Sequence, residues 1–414
     1  MGPEKRLPLA LVLCFLILFG WSYLNAPQPQ EGGEGAPPVI EGEAAGGAAV
    51  DDVLPAASGD AAGEGADSSA PAAAPEAAPG ATQAQGAAPA VEPWSDWVEL
   101  GIPGSQGHAF VRFDSLGGSV AEIRLGGYFV REGLSDEERE VMANRVPVVR
   151  PAVTPEQTFQ SFMLRPDLSA QEILTSDLST VHWEHKALGD GMEFTHRDAG
   201  GVTLIKRIRH VPDQFQLRVE LELQSTTAAV ASRRATLGLI TSAGMRAEGK
   251  DSFYQEPKAV SATRGDDLVE HLLDPDGDPR RGLLTSSKRS EIGFLGTHNK
   301  YFTMLSRPSN DLARATLAEA KWMALFDLEA ALEPGNTEDL FRDFMVEGVL
   351  ALTTAGLGER SIVEFDSYYG PKSERWLAAE DPFVPIIQQV QREDLGFFDG
   401  VASVILGFLN FLHG

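Results

Sequence analysis

The sequence predicts an all-β chain whose body, residues 94–377, folds as a large antiparallel β-sandwich. Three observations carry this expectation: short runs of period-two alternation, turn residues between them, and no succession of βα units. The clearest run places Phe215, Leu217, Val219, Leu221 and Leu223 on one face and Gln216, Arg218, Glu220, Glu222 and Gln224 on the other. A strand with one face packed and one face wet has this pattern.

HAFVRFDSLGGSVAEIRLGGYF reads as strand, Gly-Gly turn and strand, and GMEFTHRDAGGVTLIKRIRHVPDQFQLRVELELQSTT as three strands. Arg207 and Arg209 fall on the wet face. Further strands are expected at RATLGLITSA, SEIGFLG, YFTMLSRP, KWMALFDLEAALEP, FRDFMVEGVLAL and RSIVEFDSYYG. About fifteen to twenty strands of ordinary length fit poorly in one open sheet and better in two stacked sheets. A pair of smaller sandwiches is the competing layout, but no linker-like composition divides 94–377. Two helices are expected: SDEEREVMAN (135–144), opening on a capping box of Ser135 and Glu138, and KSERWLAAED (372–381), after Pro371.

Both ends differ from the body. Leu7 to Tyr23 contains no charge, follows Lys5 and Arg6, and with Leu24 makes a helix of about 27 Å, near the hydrocarbon thickness of a bilayer. Residues 1–6 are then cytoplasmic and 7–24 a single anchor, represented by Leu7, Leu11, Phe15 and Phe19, with Trp21 and Tyr23 at the outer headgroups. A cleaved signal peptide is the alternative, although no clean A-x-A site follows. Residues 25–93 are rich in Ala, Gly, Pro and Glu, with eleven acidic and no basic side chains from Glu31 to Glu92, and are expected to be a disordered tether. A helical connector is expected over 378–398 and an amphipathic interfacial helix over 399–414. Phe397, Val401, Ile405, Phe408 and Leu412 crowd one side of that helical projection. A helix packed on its own domain is the other reading of this segment.

The chain has 34 basic and 60 acidic residues, a net charge of -26, which argues against a nucleic-acid partner. Its one cysteine, Cys14, excludes an internal disulfide and any Cys-rich metal site. No nucleophile-elbow, zincin, P-loop or dinucleotide motif is present, and no cofactor is implied. His182 and His185 flank Trp183 and Glu184 but would point to opposite faces of a strand. Asp274, Asp276 and Asp278 lack the Gly and Glu that complete a calcium loop and read as a solvated loop. Trp94, Trp97, Trp183, Trp322 and Trp376 read as core or strand-face residues before they read as a sugar platform.

The order anchor, linker, sandwich and apolar C-terminal helix resembles the YidC-type bacterial membrane protein insertases. The resemblance is carried by FLILFGWSYLNAPQPQ, by the strand series containing Lys206, by Lys300-Tyr301-Phe302, by Gly370-Pro371-Lys372 and by DLGFFDGVASVILGFLNFLHG. It implies a super-sandwich similar to galactose mutarotases, on the periplasmic side of the bacterial inner (cytoplasmic) membrane. Its implied partners are the lipid bilayer, Sec translocon components and nascent membrane proteins, and its implied role is non-enzymatic assistance to membrane insertion. The family's later membrane helices are missing, so the resemblance implies a truncated or split product, or a paralogue without the insertase core. It would then have no insertion activity alone. Two other functions stay open: a tethered carbohydrate-binding or mutarotase-like sandwich, and a structural envelope scaffold. An aromatic groove with a His–carboxylate pair would favour the sugar reading.

Overall fold

A computed structural model describes residues 91–153, 157–166, 173–245, 257–264, 268–272, 281–286, 291–326, 341–357, 359–373, 377–378 and 380–395. The expected anchor, the linker up to residue 90 and the interfacial helix lie outside these residues, as do Asp274, Asp276, Asp278 and Trp376. Among the described residues no helix is long and apolar enough to cross a membrane.

The first elements are β1 (Ser95–Leu100), β2 (Ala109–Asp114), β3 (Ser119–Phe129), α1 (Asp136–Glu140), β4 (Arg145–Val149), β5 (Ala152–Val153), β6 (Thr158–Phe159) and β7 (Leu164–Pro166). Next come β8 (Glu184–Leu188), β9 (Gly191–Arg197), β10 (Val202–His210), β11 (Gln216–Ser225), β12 (Arg234–Ala243), β13 (Lys258–Thr263), β14 (Leu268–Leu272) and β15 (Arg281–Ser286). The chain continues with β16 (Ile292–His298), β17 (Phe302–Pro308), α2 (Asp311–Thr316), β18 (Leu317–Phe326), β19 (Phe341–Thr353), β20 (Ser361–Pro371) and α3 (Val384–Leu395).

These strands form a large antiparallel β-sandwich. A nine-stranded sheet runs β14-β13-β16-β17-β20-β11-β10-β9-β8, a seven-stranded sheet runs β6-β5-β18-β19-β12-β7, and β15 adds to β18. A four-stranded sheet, β1-β2-β3-β4, completes the body. The two large sheets meet where β16 and β17 pack on β12, and β16 on β19. One apolar core joins all three sheets, from Val111 and Ile123 through Leu217 and Leu221 to Leu237 and Leu350.

Half of the alternation expected in β11 holds: Leu217, Val219, Leu221 and Leu223 are buried, but on the opposite face Gln216 and Glu222 are buried too, and only Arg218 is exposed. The opposite face of this sheet is a charge ladder in which arginines cover the buried carboxylates Glu222 and Asp366. Arg207 bonds Glu193 at 2.7 Å and Glu222 at 3.0 Å, while Asp366 accepts from Arg218 at 3.0 Å and Arg307 at 2.9 Å. In β10 the inward positions are Val202, Leu204, Lys206, Ile208 and His210, so a lysine sits in the apolar row, fully buried. Its Nζ donates to the carbonyls of Gly117, at 2.8 Å, and Phe162, and lies 4.8 Å over the Trp183 ring.

Asp198 closes the turn after β9. Burial works against its charge, but His196 at 3.9 Å and the amides of Thr175 and Gly200 outweigh it and hold the carboxyl well below its ordinary pKa. The capping box on α1 is present in full: Glu138 N donates to Ser135 Oγ and Ser135 N to Glu138 Oε2. Of the expected helix at 372–381, residues 374–376 and 379 lie outside the described residues and the others are not helical; α3, from Val384, falls within the expected connector 378–398. Pro382 and Pro385 fit only a first turn, and Asp381 sets it by accepting from Phe383 N at 2.8 Å and from Gln216 Nε2 at 2.6 Å.

Candidate binding site

The outward face of the seven-stranded sheet carries the site. Its register pairs Lys321 with Glu347, Met323 with Met345, Gly238 with Val349, and Gly238 with Arg165. The alternate positions, among them Trp322, Val346, Leu237 and Leu239, belong to the core. One end of the outward face is closed by a second apolar cluster that includes Phe159, Met163, Ile240 and Met345. Beside it opens a cavity of about 490 Å³. Arg165, Arg281, Lys321 and Glu347 are its charged lining residues, and Met323, Met345 and Val349 supply apolar wall. The volume lies within the roughly 300–1,000 Å³ common to small-molecule sites.

Glu347 is the most enclosed of the four charges, with its side chain 13% exposed. Its Oε2 accepts from Arg165 Nη1 at 3.0 Å, a contact between residues 182 positions apart. Gly238 is what makes room: a Cβ there would lie 1.3 Å from Glu347 Oε1, so the carboxylate rests directly on the backbone of β12. Burial pushes the Glu347 carboxyl up in pKa, and the charges of Arg165 and Lys321 pull it back. The Arg165 guanidinium also lies 5.4 Å over the Phe159 ring, which fixes its direction. Lys321 pairs with Glu319 at 2.9 Å on its own strand. Together these groups offer a shielded acceptor, fixed donors and an apolar wall within one cavity.

Of the residues that the sequence singles out, only Trp322 borders this cavity, and it does so from the core, packed edge-on to Phe344 with 5.8 Å between centroids. Lys300, Tyr301 and Phe302 lead into β17 and meet Gly370, Pro371 and Lys372 across the β17–β20 pair. Lys372 N donates to Tyr301 O at 2.7 Å, and Lys372 Nζ to Asn299 O at 2.9 Å, so both triplets serve one strand junction. Trp183 is fully buried, Trp97 lies under Arg112 and Arg124, and Trp94 stacks on His185 at 4.1 Å. His182 bonds Ser115 Oγ at 2.8 Å, and a His–carboxylate pair, His108 with Glu99 at 2.8 Å, belongs to the four-stranded sheet. No cluster of potential metal ligands occurs among the described residues.

Sequence reasoning misses Arg165, Gly238, Arg281, Lys321 and Glu347. Two signals point toward them: a glycine inside the apolar strand RATLGLITSA and a glutamate inside FMVEGV. Each marks a place where a strand serves something other than packing.

No family model matches the chain, and no curated protein matches it. Solved structures do align with it. One is a galactose mutarotase-like protein from Lactobacillus casei, at 10% identity over 66% of this chain and 100% of that one, with a TM-score of 0.38. Another is an aldose epimerase homologue from C. elegans, at 11% identity over 67% and 99%, with a TM-score of 0.37. Similarity this remote assigns no activity.

The insertase resemblance, and the insertion, chaperone and transport functions it implied, are corrected: no family model and no curated protein ties the chain to an insertase, and what is left standing is the β-sandwich. The physical reason lies in the motifs. Lys206 fills a core position, and Lys300–Phe302 with Gly370–Lys372 close one strand pair, so these short runs report the packing of a sandwich and do not single out an insertase. The expectation that the chain is no enzyme is corrected with them, since it followed only from the insertase mechanism.

Proposed function

We propose that the sandwich binds carbohydrate in the cavity on the outward face of the seven-stranded sheet. The observation that carries this reading is the Arg165–Glu347 pair, set on Gly238 beside the Met323, Met345 and Val349 wall. Hydroxyls of a sugar donate to a carboxylate and accept from a guanidinium, while its C–H face needs apolar contact. Titration calorimetry of the full chain against a panel of mono- and oligosaccharides tests it. Saturable binding that weakens at least about tenfold in Arg165→Ala is expected from loss of a charge-assisted donor. Absence of binding to every sugar at millimolar concentration would sink the proposal.

The raised Glu347 carboxyl favours a second reading, in which it carries a proton between the anomeric hydroxyl and the ring oxygen of a bound aldose. The optical rotation of freshly dissolved α-glucose would then decay faster with the protein and not with Glu347→Gln. An unchanged decay would leave binding alone.

We propose further that residues 7–24 hold the chain in a bilayer, with the sandwich on the non-cytoplasmic side, supported by the uncharged run that follows Lys5 and Arg6. Carbonate-washed membranes are expected to retain the full chain and release a variant lacking 7–24. Retention of the shortened variant would overturn the anchor.

A further inference from the structure

We infer that the ligand of this cavity is an anionic sugar whose oxyanion is held by Arg281; the inference rests on the sugar-binding reading above. Three of the four charged lining residues are cations. Two are balanced within the protein: Arg165 by Glu347 at 3.0 Å and Lys321 by Glu319 at 2.9 Å. Arg281 is exposed and has no acidic partner among the described residues. Its place is set by the sheet. Arg281 pairs with Met323 across β15 and β18, two positions along from Lys321, so its Cα lies on the cavity face at the sheet's edge.

A lining guanidinium with no acidic partner among the described residues, in a cavity whose other charges are paired, leaves room for one negative charge on the ligand. This is notable in a chain with a net charge of -26, whose overall field repels anions. The local site works against the global charge, which gives an anion a reason to bind here and not across the surface. A guanidinium presents paired donors that match a carboxylate or a phosphate. The shared chemistry is therefore a pyranose bearing one oxyanion group, with its hydroxyls on Glu347 and Arg165. A hexuronate and a sugar phosphate are its two sources.

Calorimetry on the full chain with glucuronate, glucose 6-phosphate, glucose and inorganic phosphate tests the assignment. At least one of the anionic sugars is expected to bind about tenfold tighter than glucose, the worth of one charge-assisted pair. The one that gains identifies the source of the oxyanion. In Arg281→Ala the preference is expected to vanish, and Arg281→Lys is expected to restore part of it. Equal affinity for glucose and both anionic sugars would overturn the inference while leaving sugar binding intact. No binding of any sugar would overturn both. Inorganic phosphate binding as tightly as glucose 6-phosphate would show an anion site without sugar recognition, and a preference surviving Arg281→Ala would remove Arg281 from the role. Both are failures of the inference.

Discussion

Replacing Lys206 with alanine is expected to lower the unfolding free energy of the sandwich by roughly 3–5 kcal/mol, as read by urea denaturation. Two causes add. The truncation opens a cavity where the side chain runs between β10 and the turn at Gly117, and it leaves the Gly117 and Phe162 carbonyls without their donor. Both segments depend on that donor. Gly117 turns the chain between β2 and β3 at φ +62°, and Phe162 adopts φ 67°, a conformation a bulky residue holds only when its surroundings enforce it. Lys206→Met separates the causes, because it keeps most of the volume and loses the donors; a cost of about 2 kcal/mol is expected.

The pH dependence has a definite sign. Burial lowers the Lys206 pKa well below its ordinary value, so the unfolded chain binds the extra proton between the folded pKa and about 10.4. The lysine's contribution to stability therefore rises with pH through that window and is flat above it. The methionine variant lacks this slope, and the gap between the two proteins should widen as pH rises. A gap independent of pH would mean that Lys206 keeps its ordinary proton affinity in the core.

Lys206 also shows how much of the fold is legible in the sequence. The alternation of Val202, Leu204 and Ile208 points position 206 inward, so the pattern by itself puts a lysine in the core. Ser135 and Glu138 likewise announce their cap by spacing alone. Strands with weak patterns escape such reading. Lys258–Thr263 is built mostly of small residues, and Ala152–Val153 and Thr158–Phe159 are too short to show a period. The site is less legible still. Arg165 lies outside every strand expected from the sequence and Glu347 is one charge within FRDFMVEGVLAL, and only the order β19-β12-β7 brings them together, with Gly238 between. Local motifs mislead for the converse reason. Gly370-Pro371-Lys372 and Lys300-Tyr301-Phe302 answer the needs of one strand junction, and those needs recur wherever such a junction is built.

Gly238→Ala is expected to abolish sugar binding, a loss of about 100-fold or more, while changing stability by less than about 1 kcal/mol. The added methyl would sit 1.3 Å from Glu347 Oε1, which no adjustment of tenths of an ångström can accommodate. The obstacle is the far end of a flexible side chain, however, so the strand itself need not move. Glu347 swings outward, Arg165 loses its 3.0 Å partner, and the methyl occupies the cavity floor. An extended position gains from alanine in place of glycine, which offsets part of the lost ion pair. The prediction is thus a split between affinity and stability, checked by calorimetry and thermal unfolding on the same sample. Glu347→Gln gives the complementary result: it keeps the shape and one acceptor, removes the charge, and is expected to cost only about tenfold in affinity. If Gly238→Ala bound sugars as the wild type does, the carboxylate at the base of the cavity would not be the group that holds the ligand.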